Sequence, residues 1–352
     1  MKKLSIFLAG LLTVCLTGCA SVQTSAFAGS YWLENYSNKT APDGFYEKIE
    51  YEVKTETETN YAPALIKSGN IKFEIDSAKS SYYTELYTEN GNYVYQTSLT
   101  VNGTYYYGAN GEKSYKVEND TTVTKTVFKD FENKFKVISS TKEASNIFPV
   151  YSSPSSEKDF KKVAYKSVIE YGEKNATVTL TTDDPISKEY FSTLSKPVTV
   201  KKYNKKEKGY IDNEIIPLIF RTFKYDSSLS YTFKSIENVT GSLKQVVGKA
   251  VDLNTSTPSS ESASQSPIFP MTVNNCSLNG VRFDVEFDVL GVSFQTTGEY
   301  GQTFLTAYYE TARKNVDLKT KHFMVKGYQP MIYNCAYMVY TIHTVYNQRE
   351  TA

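Results

Sequence analysis

Residues 82–117 read YYTELYTENGNYVYQTSLTVNGTYYYGANGEKSYKV. Tyrosine, threonine and valine fill the stretch, and these side chains suit a pleated, half-buried surface. Asn90-Gly91, Asn102-Gly103 and Asn110-Gly111 punctuate it. An Asn-Gly pair supplies the two positive φ angles of a type I′ turn, whose twist matches a tight hairpin. Three such pairs, with strands such as Tyr93–Thr100, Thr104–Tyr107 and Ser114–Val117 beside them, predict an antiparallel meander at one end of a larger sheet.

The pattern continues on both sides. In Phe45–Thr55, residues Phe45, Ile49, Tyr51 and Val53 share one parity, and Tyr46, Lys48, Glu50, Glu52 and Lys54 the other. Ile71, Phe73 and Ile75 alternate with Lys72, Glu74 and Asp76. Val281–Val289 is the most regular run: Val281, Phe283, Val285, Phe287 and Val289 face one way and Arg282, Asp284, Glu286 and Asp288 the other, after a turn at Asn279-Gly280. Val163–Tyr171 and Ala176–Leu180 read as a hairpin. Further strands are expected at Val198–Val200, Ser230–Ile236, Phe304–Tyr309, His322–Val325 and Ala336–Val345.

Helices are few. Apolar residues at helical spacing predict one over Thr126–Ser139, a short one at Ser187–Leu194, and one over Ile211–Phe223 capped by Asp212 or Asn213, with Pro217 in its first turn. Asn254–Pro267 is almost wholly Ser, Thr, Pro and Gln and reads as a mobile loop or linker. No strand–helix alternation of the parallel α/β type occurs. The expected class is therefore mainly β (α+β): a large curved antiparallel sheet or half-barrel with a few short helices, in one or two lobes over residues 45–348.

Composition removes several functions. The formal net charge is +1, from 39 basic and 38 acidic residues, so a nucleic-acid binder is not expected. No Gly-x-Ser-x-Gly elbow, Walker loop, Cys-x-x-Cys or EF-hand loop is present. No cofactor, metal site or catalytic set is expected, and the protein reads as a non-enzyme. The two histidines, His322 and His343, fall in stretches read as strand. Asp284, Glu286 and Asp288 sit on one strand face, where a solvated surface is the plainer reading than ion binding. The sequence sets no oligomeric state.

The tyrosines offer a candidate surface. Tyr93, Tyr95, Tyr105 and Tyr107 crowd the meander. They read either as a glycan platform or aromatic-lined groove, or as cross-strand packing.

The first residues have the layout of a secretory signal: Lys2 and Lys3, then an apolar run from Leu4 to Val14, then Leu16-Thr17-Gly18-Cys19. That last motif resembles the lipobox of bacterial lipoproteins. The resemblance implies residues 1–18 as a signal peptide, a diacylglyceryl thioether on Cys19, and residues 19–44 as a lipidated tether. An ordinary secreted protein cut after Ala26 or Ala28 is the alternative. Two acyl chains hold a protein stably where one holds it marginally. The expected location is the cell membrane or cell envelope, outside the cytoplasm, with the membrane as partner through the anchor. Cys15 leaves with the signal, so Cys276 and Cys335 remain as an even pair, read as a disulfide or as two buried thiols.

A lipid anchor followed by a long antiparallel sheet resembles the half-barrel folds of bacterial lipoprotein carriers and mycobacterial lipid-binding lipoproteins. The stretch Tyr210-Ile211-Asp212-Asn213-Glu214 through Leu218-Ile219-Phe220-Arg221 also looks like a segment of uncharacterised bacterial half-barrel families. The resemblance implies a concave sheet face covered by helices that holds an acyl chain or nothing, and the expected ligand is hydrophobic, a lipid or acyl chain. The alternative is a surface module that binds glycan, cell wall or a protein through exposed tyrosines.

Overall fold

The computed structural model describes residues 44–66, 69–131, 134–149, 154–173, 175–192, 198–201, 211–223, 225, 229–251, 268–297, 302–314 and 322–347. The stretch read as a signal peptide, Cys19, the expected tether up to residue 43 and the Ser/Thr-rich stretch 254–267 lie outside the described residues.

β1 (Tyr46–Glu56) alternates as its sequence predicts, with Ile49, Tyr51 and Val53 buried and Glu52 and Lys54 exposed. β2 (Lys72–Ile75) and β3 (Ser81–Glu89) pair with successive halves of the long β4 (Asn92–Tyr107). The antiparallel meander then runs through β5 (Lys113–Phe131), β6 (Lys134–Pro149), β7 (Phe160–Tyr171), β8 (Asn175–Thr181) and β9 (Val198–Lys201). Between β8 and β9 lies α1 (Pro185–Tyr190), capped by Asp184, whose carboxylate accepts from the Ser187 N–H.

After β10 (Ile211–Asp212), a 3-10 turn (Asn213–Ile215) leads into α2 (Ile216–Phe220). The remaining strands are β11 (Ser230–Ile236), β12 (Leu243–Ala250), β13 (Ile268–Leu278), β14 (Val281–Thr296), β15 (Thr303–Arg313), β16 (Met324–Pro330) and β17 (Tyr337–Tyr346).

The seventeen strands among the described residues belong to one sheet, mainly antiparallel. β1 lies between β3 and β17, and so joins the meander to the C-terminal strands. β14, β15, β16 and β17 pair in succession, and β13 pairs with β14 along one edge. A short parallel contact, Ser277 opposite Thr344 and Leu278 opposite Val345, then joins β13 to β17 and closes a five-stranded barrel. The rest of the sheet stays open. One core cluster runs from the meander into the barrel, and a satellite of Ala144, Val163, Tyr165 and Phe191 gathers beside α1.

The Asn-Gly pairs divide. Asn90 and Gly91 (φ +52° and +72°) and Asn279 and Gly280 (φ +52° and +84°) take the left-handed angles of hairpin turns. Asn110-Gly111 lies in the connection from β4 to β5, with Gly111 at φ +70°. Asn102-Gly103 is no turn: it sits inside β4, where the register shifts between Val101 and Gly103. The Asn102 side chain holds the irregularity. Its amide donates to the Lys79 carbonyl at 2.7 Å and its carbonyl accepts from the Asn119 N–H at 2.9 Å.

The helix expected over Thr126–Ser139 is two strands, β5 and β6, with Phe131 opposite Lys134. Its apolar residues belong to opposite arms of a hairpin: Phe128 faces Val137, and both are buried. The β-branched run of β5 favours the strand, and pairing on both edges settles it. α1 starts two residues before the predicted Ser187, because Pro185 suits a first turn. α2 is five residues long, the expected start of that helix being β10 and the 3-10 turn.

Gly103 tests this account. A Cβ there would run into the Glu74 carbonyl and the Phe73 ring. Gly103→Ala is expected to cost about 1–3 kcal/mol, the range of overpacking. Leu243→Ala, at an exposed position, should stay within about 0.5 kcal/mol. Urea unfolding measures both, and a Gly103→Ala chain as stable as the parent would refute the close approach.

Candidate functional site

Directly opposed residues of an antiparallel ladder share a face. The pairings of β3 to β7 therefore lay out three transverse rows. The central row is Thr84, Thr97, Thr124, Lys142 and Ser167. On one side of it lies the row beginning Tyr82, Leu99 and Thr122, and on the other the row beginning Leu86, Tyr95 and Thr126. β1 extends these rows with Tyr51, Ile49 and Glu47. A polar band thus crosses the middle of a covered sheet face.

Buried hydroxyls and charges need partners, and the band supplies them. Thr97 Oγ1 and Thr124 Oγ1 are 2.7 Å apart. The Thr84 hydroxyl stands beside the phenols of Tyr51 and Tyr95 on the same wall. Ser167 donates to the Asn238 carbonyl. Lys142 Nζ lies 2.7 Å from Glu214, on the 3-10 turn ahead of α2. Desolvation by burial pushes the phenols of Tyr51, Tyr82, Tyr95 and Tyr340 well above the usual tyrosine range, so all four stay neutral donors near pH 7.

The α2 segment lies over this face. Arg221, one residue past α2, makes a bidentate pair with Glu47 of β1, at 2.7 and 3.1 Å, with both side chains almost wholly buried. The Arg221 guanidinium also stacks over the Phe323 ring, 5.0 Å from its centroid. Arg313 stacks over the same ring at 5.1 Å and pairs with the buried Glu310. The Arg221 carbonyl lies 3.1 Å from His322 Nδ1, and the imidazole stacks on Tyr225 with centroids 4.0 Å apart.

A cavity of about 490 Å³ remains between the sheet face and α2, within the range of small-molecule sites, roughly 300–1,000 Å³. Tyr51, Tyr82, Thr84, Tyr95 and Thr97 wall one side, and Asn213, Glu214, Pro217 and Arg221 the other. Phe304, Leu305, Met324, Gln329 and Tyr340 come from β15, β17 and the β16 strand between them. A second cavity of about 180 Å³ is lined mainly by apolar side chains, among them Phe73, Val101, Val117, Ile147, Met331 and Ile332, together with Asp120. Leu99, Thr122, Asn146, Gln329 and Tyr340 line both.

The four tyrosines named from the sequence do not form an exposed surface. Tyr93, Tyr95, Tyr105 and Tyr107 are all buried. Tyr93 stacks on Phe128, Tyr105 packs on Phe73, and Tyr107 packs on Phe160. Tyr95 lines the larger cavity and Tyr105 the smaller. Other parts of the chain cover the face on which they stand, and strand parity alone does not reveal a cover. Cys276 and Cys335 are buried thiols, not a disulfide. Burial pushes the Cys276 thiol up to about 11, which leaves it protonated and unreactive near neutral pH.

His322 is not an ordinary sheet residue. It stands two residues ahead of β16, in the left-handed region at φ +53°. His343 lies within β17. Glu286 and Asp288 both pair with Lys314, and Asp284 accepts from the Asn275 N–H. No group of three or more His, Cys, Asp or Glu that could hold a metal occurs among the described residues, and no helix among them is long and apolar enough to cross a membrane.

Sequence reasoning missed Glu47 and the threonine band, although both leave a signal. Glu47 has the buried parity of β1, an acid on an apolar face. Thr84, Thr97 and Thr124 have the inward parity of their strands. Comparison with family profiles, curated proteins and solved structures finds no match.

Two predictions follow from the buried charges. Arg221→Met should cost about 3–5 kcal/mol, because it takes the bidentate guanidinium away from the buried Glu47 carboxylate. Glu47→Leu with Arg221→Met should regain most of that loss. A double-mutant cycle by urea unfolding checks this, and additive losses would refute the coupling.

The second concerns His322. Burial lowers its imidazole from an ordinary 6.5 to about 3. The unfolded chain thus takes up this proton at a higher pH than the folded chain. The stabilisation is intact above pH 6.5 and is lost as pH falls from there toward 3, by about 1.4 kcal/mol per pH unit. His322→Asn tolerates the left-handed angle and should flatten this slope. Unfolding free energies measured from pH 7 to pH 3.5 compare the two chains, and equal slopes would remove His322 as the cause.

Proposed function

We propose that the protein is a membrane-anchored extracytoplasmic lipoprotein, non-enzymatic, that binds one hydrophobic or amphiphilic ligand, a lipid or acyl chain, between its sheet and α2. The lipobox-like Leu16-Thr17-Gly18-Cys19 supports the anchor. One observation above all supports the ligand: a polar chamber of about 490 Å³ shares five lining residues with a mainly apolar one of about 180 Å³. Such a pair suits a molecule with one polar and one apolar end, and apolar walls around a few placed polar groups are the usual make-up of ligand sites.

The alternative reading, a surface module for glycan, wall or protein, loses its four named tyrosines to burial. It would rest instead on Tyr61 and Tyr190, which are exposed.

Native mass spectrometry of the full chain carrying Cys19→Ala, purified without detergent, tests the proposal. Adducts of lipid mass that vanish on organic extraction are expected. Leu99→Trp, which fills the junction of the chambers, should reduce them. A clean apo mass, unchanged after incubation with a total lipid extract, would overturn the reading.

A further inference from the structure

The polar chamber is crowded with hydrogen-bonding groups, yet its buried and half-buried cations are already matched. Lys142 is paired with Glu214, and Arg221 with Glu47, at 2.7 Å each. Glu237 accepts the N–H groups of Val239 and Thr240. Lys244 is exposed. A phosphate or carboxylate entering here would lose its water and, apart from the solvent-exposed Lys244, meet cations that carboxylates already neutralise. That exchange is costly, because a buried ion needs a counter-charge of its own. A cationic group would meet the same obstacle at Glu214.

Uncharged hydroxyls meet no such obstacle. Each threonine hydroxyl has one donor and two acceptor sites. The Thr97–Thr124 contact uses one donor and one acceptor, and leaves further capacity on both atoms. Tyr82 adds an aromatic wall between Tyr51 and Tyr340, with centroids 5.1 and 4.5 Å away. Ring faces accept the C–H faces of a pyranose, while threonine, amide and phenol groups match its hydroxyls. The adjoining chamber is mainly apolar and has room for alkyl chain; Asp120, its one charged lining residue, is paired with Lys162.

We infer that the ligand's polar end is an uncharged, hydroxyl-rich sugar, so that the two chambers together suit a glycolipid rather than a fatty-acid anion or a phospholipid. This rests on the ligand-binding reading given above and narrows it.

The test uses the full chain with Cys19→Ala and four probes, each below its micelle concentration and measured by isothermal titration. Dodecyl maltoside, laurate and dodecylphosphocholine share a chain length and differ in headgroup; maltotriose has the sugar without the chain. Dodecyl maltoside is expected to bind about tenfold or more tightly than the other three, the scale of one or two net hydrogen bonds. Thr97→Val with Thr124→Val removes both members of a hydroxyl pair, a change that leaves neither partner unsatisfied. That variant should bring dodecyl maltoside down to the affinity of laurate.

Equal binding of the three dodecyl compounds, or preference for a charged one, would overturn the sugar headgroup while the cavity stands. Maltotriose binding as tightly as dodecyl maltoside would keep the sugar and overturn the lipid. No binding of any probe, together with a clean native mass, would overturn both readings.

Discussion

The architecture turns on a buried pair of opposite charges. α2 has five residues, too few to hold a helix by its own hydrogen bonds. It stays over the sheet because Leu218, Ile219 and Phe220 are buried, and because Arg221 reaches Glu47 on the strand that joins meander to barrel. The cation–π contacts carry the constraint further. Phe323 lies against Arg221 and Arg313 together, and Arg313 is held by Glu310 of β15. Acid, base, ring, base and acid form one buried chain from β1 to the barrel. Such an arrangement contributes little net stability compared with an apolar replacement, but it penalises misplacement heavily. That asymmetry suits a segment whose position defines a cavity.

The cavity persists for a second reason, the choice of threonine where leucine would pack. Threonine keeps the β-branched stiffness that suits a strand. It is short, and its hydroxyl must be satisfied. Three threonines in register across β3, β4 and β5 therefore hold the sheet together and leave its face unfilled. Gly291 and Gly248 show the opposite solution on β14 and β12. There aromatic rings, Tyr308 and Phe220, fill the space in which a Cβ would sit, and the packing is dense.

The sheet was legible because its signals are local. Alternation in β1 and β14 and the turns at Asn90-Gly91 and Asn279-Gly280 need only neighbours in the chain. The errors came where long-range pairing decides. Asn102-Gly103 has the composition of a turn but a neighbour, Phe73, that requires glycine in mid-strand. The residues after Thr126 have helical spacing, yet their partners on β4 and β6 make them strand. The tyrosines of β4 stand on strands as their sequence implies, and of the two readings open for them packing holds and an exposed platform does not, since their cover comes from distant parts of the chain. The closure of β13 on β17 rests on two residue pairs and leaves no mark in the sequence.

The same logic separates what a strand face displays from what it can recognise. Glu47 viewed along β1 is an anomaly, and Arg221 viewed along α2 is a polar residue at a helix end. Brought together, they neutralise one another and remove two full charges from the surroundings of the cavity. Lys142 and Glu214 do the same from β6 and the 3-10 turn. Ion pairs that fasten the cover therefore also set the polarity of the space beneath it. They leave a chamber rich in dipoles, whose buried and half-buried cations are already paired, and whose remaining wall is made of hydroxyls, amides and ring faces. A buried hydroxyl pair is cheap to keep and costly to break singly, so the band that keeps the sheet face open is also the part of the wall least free to change its pattern of donors.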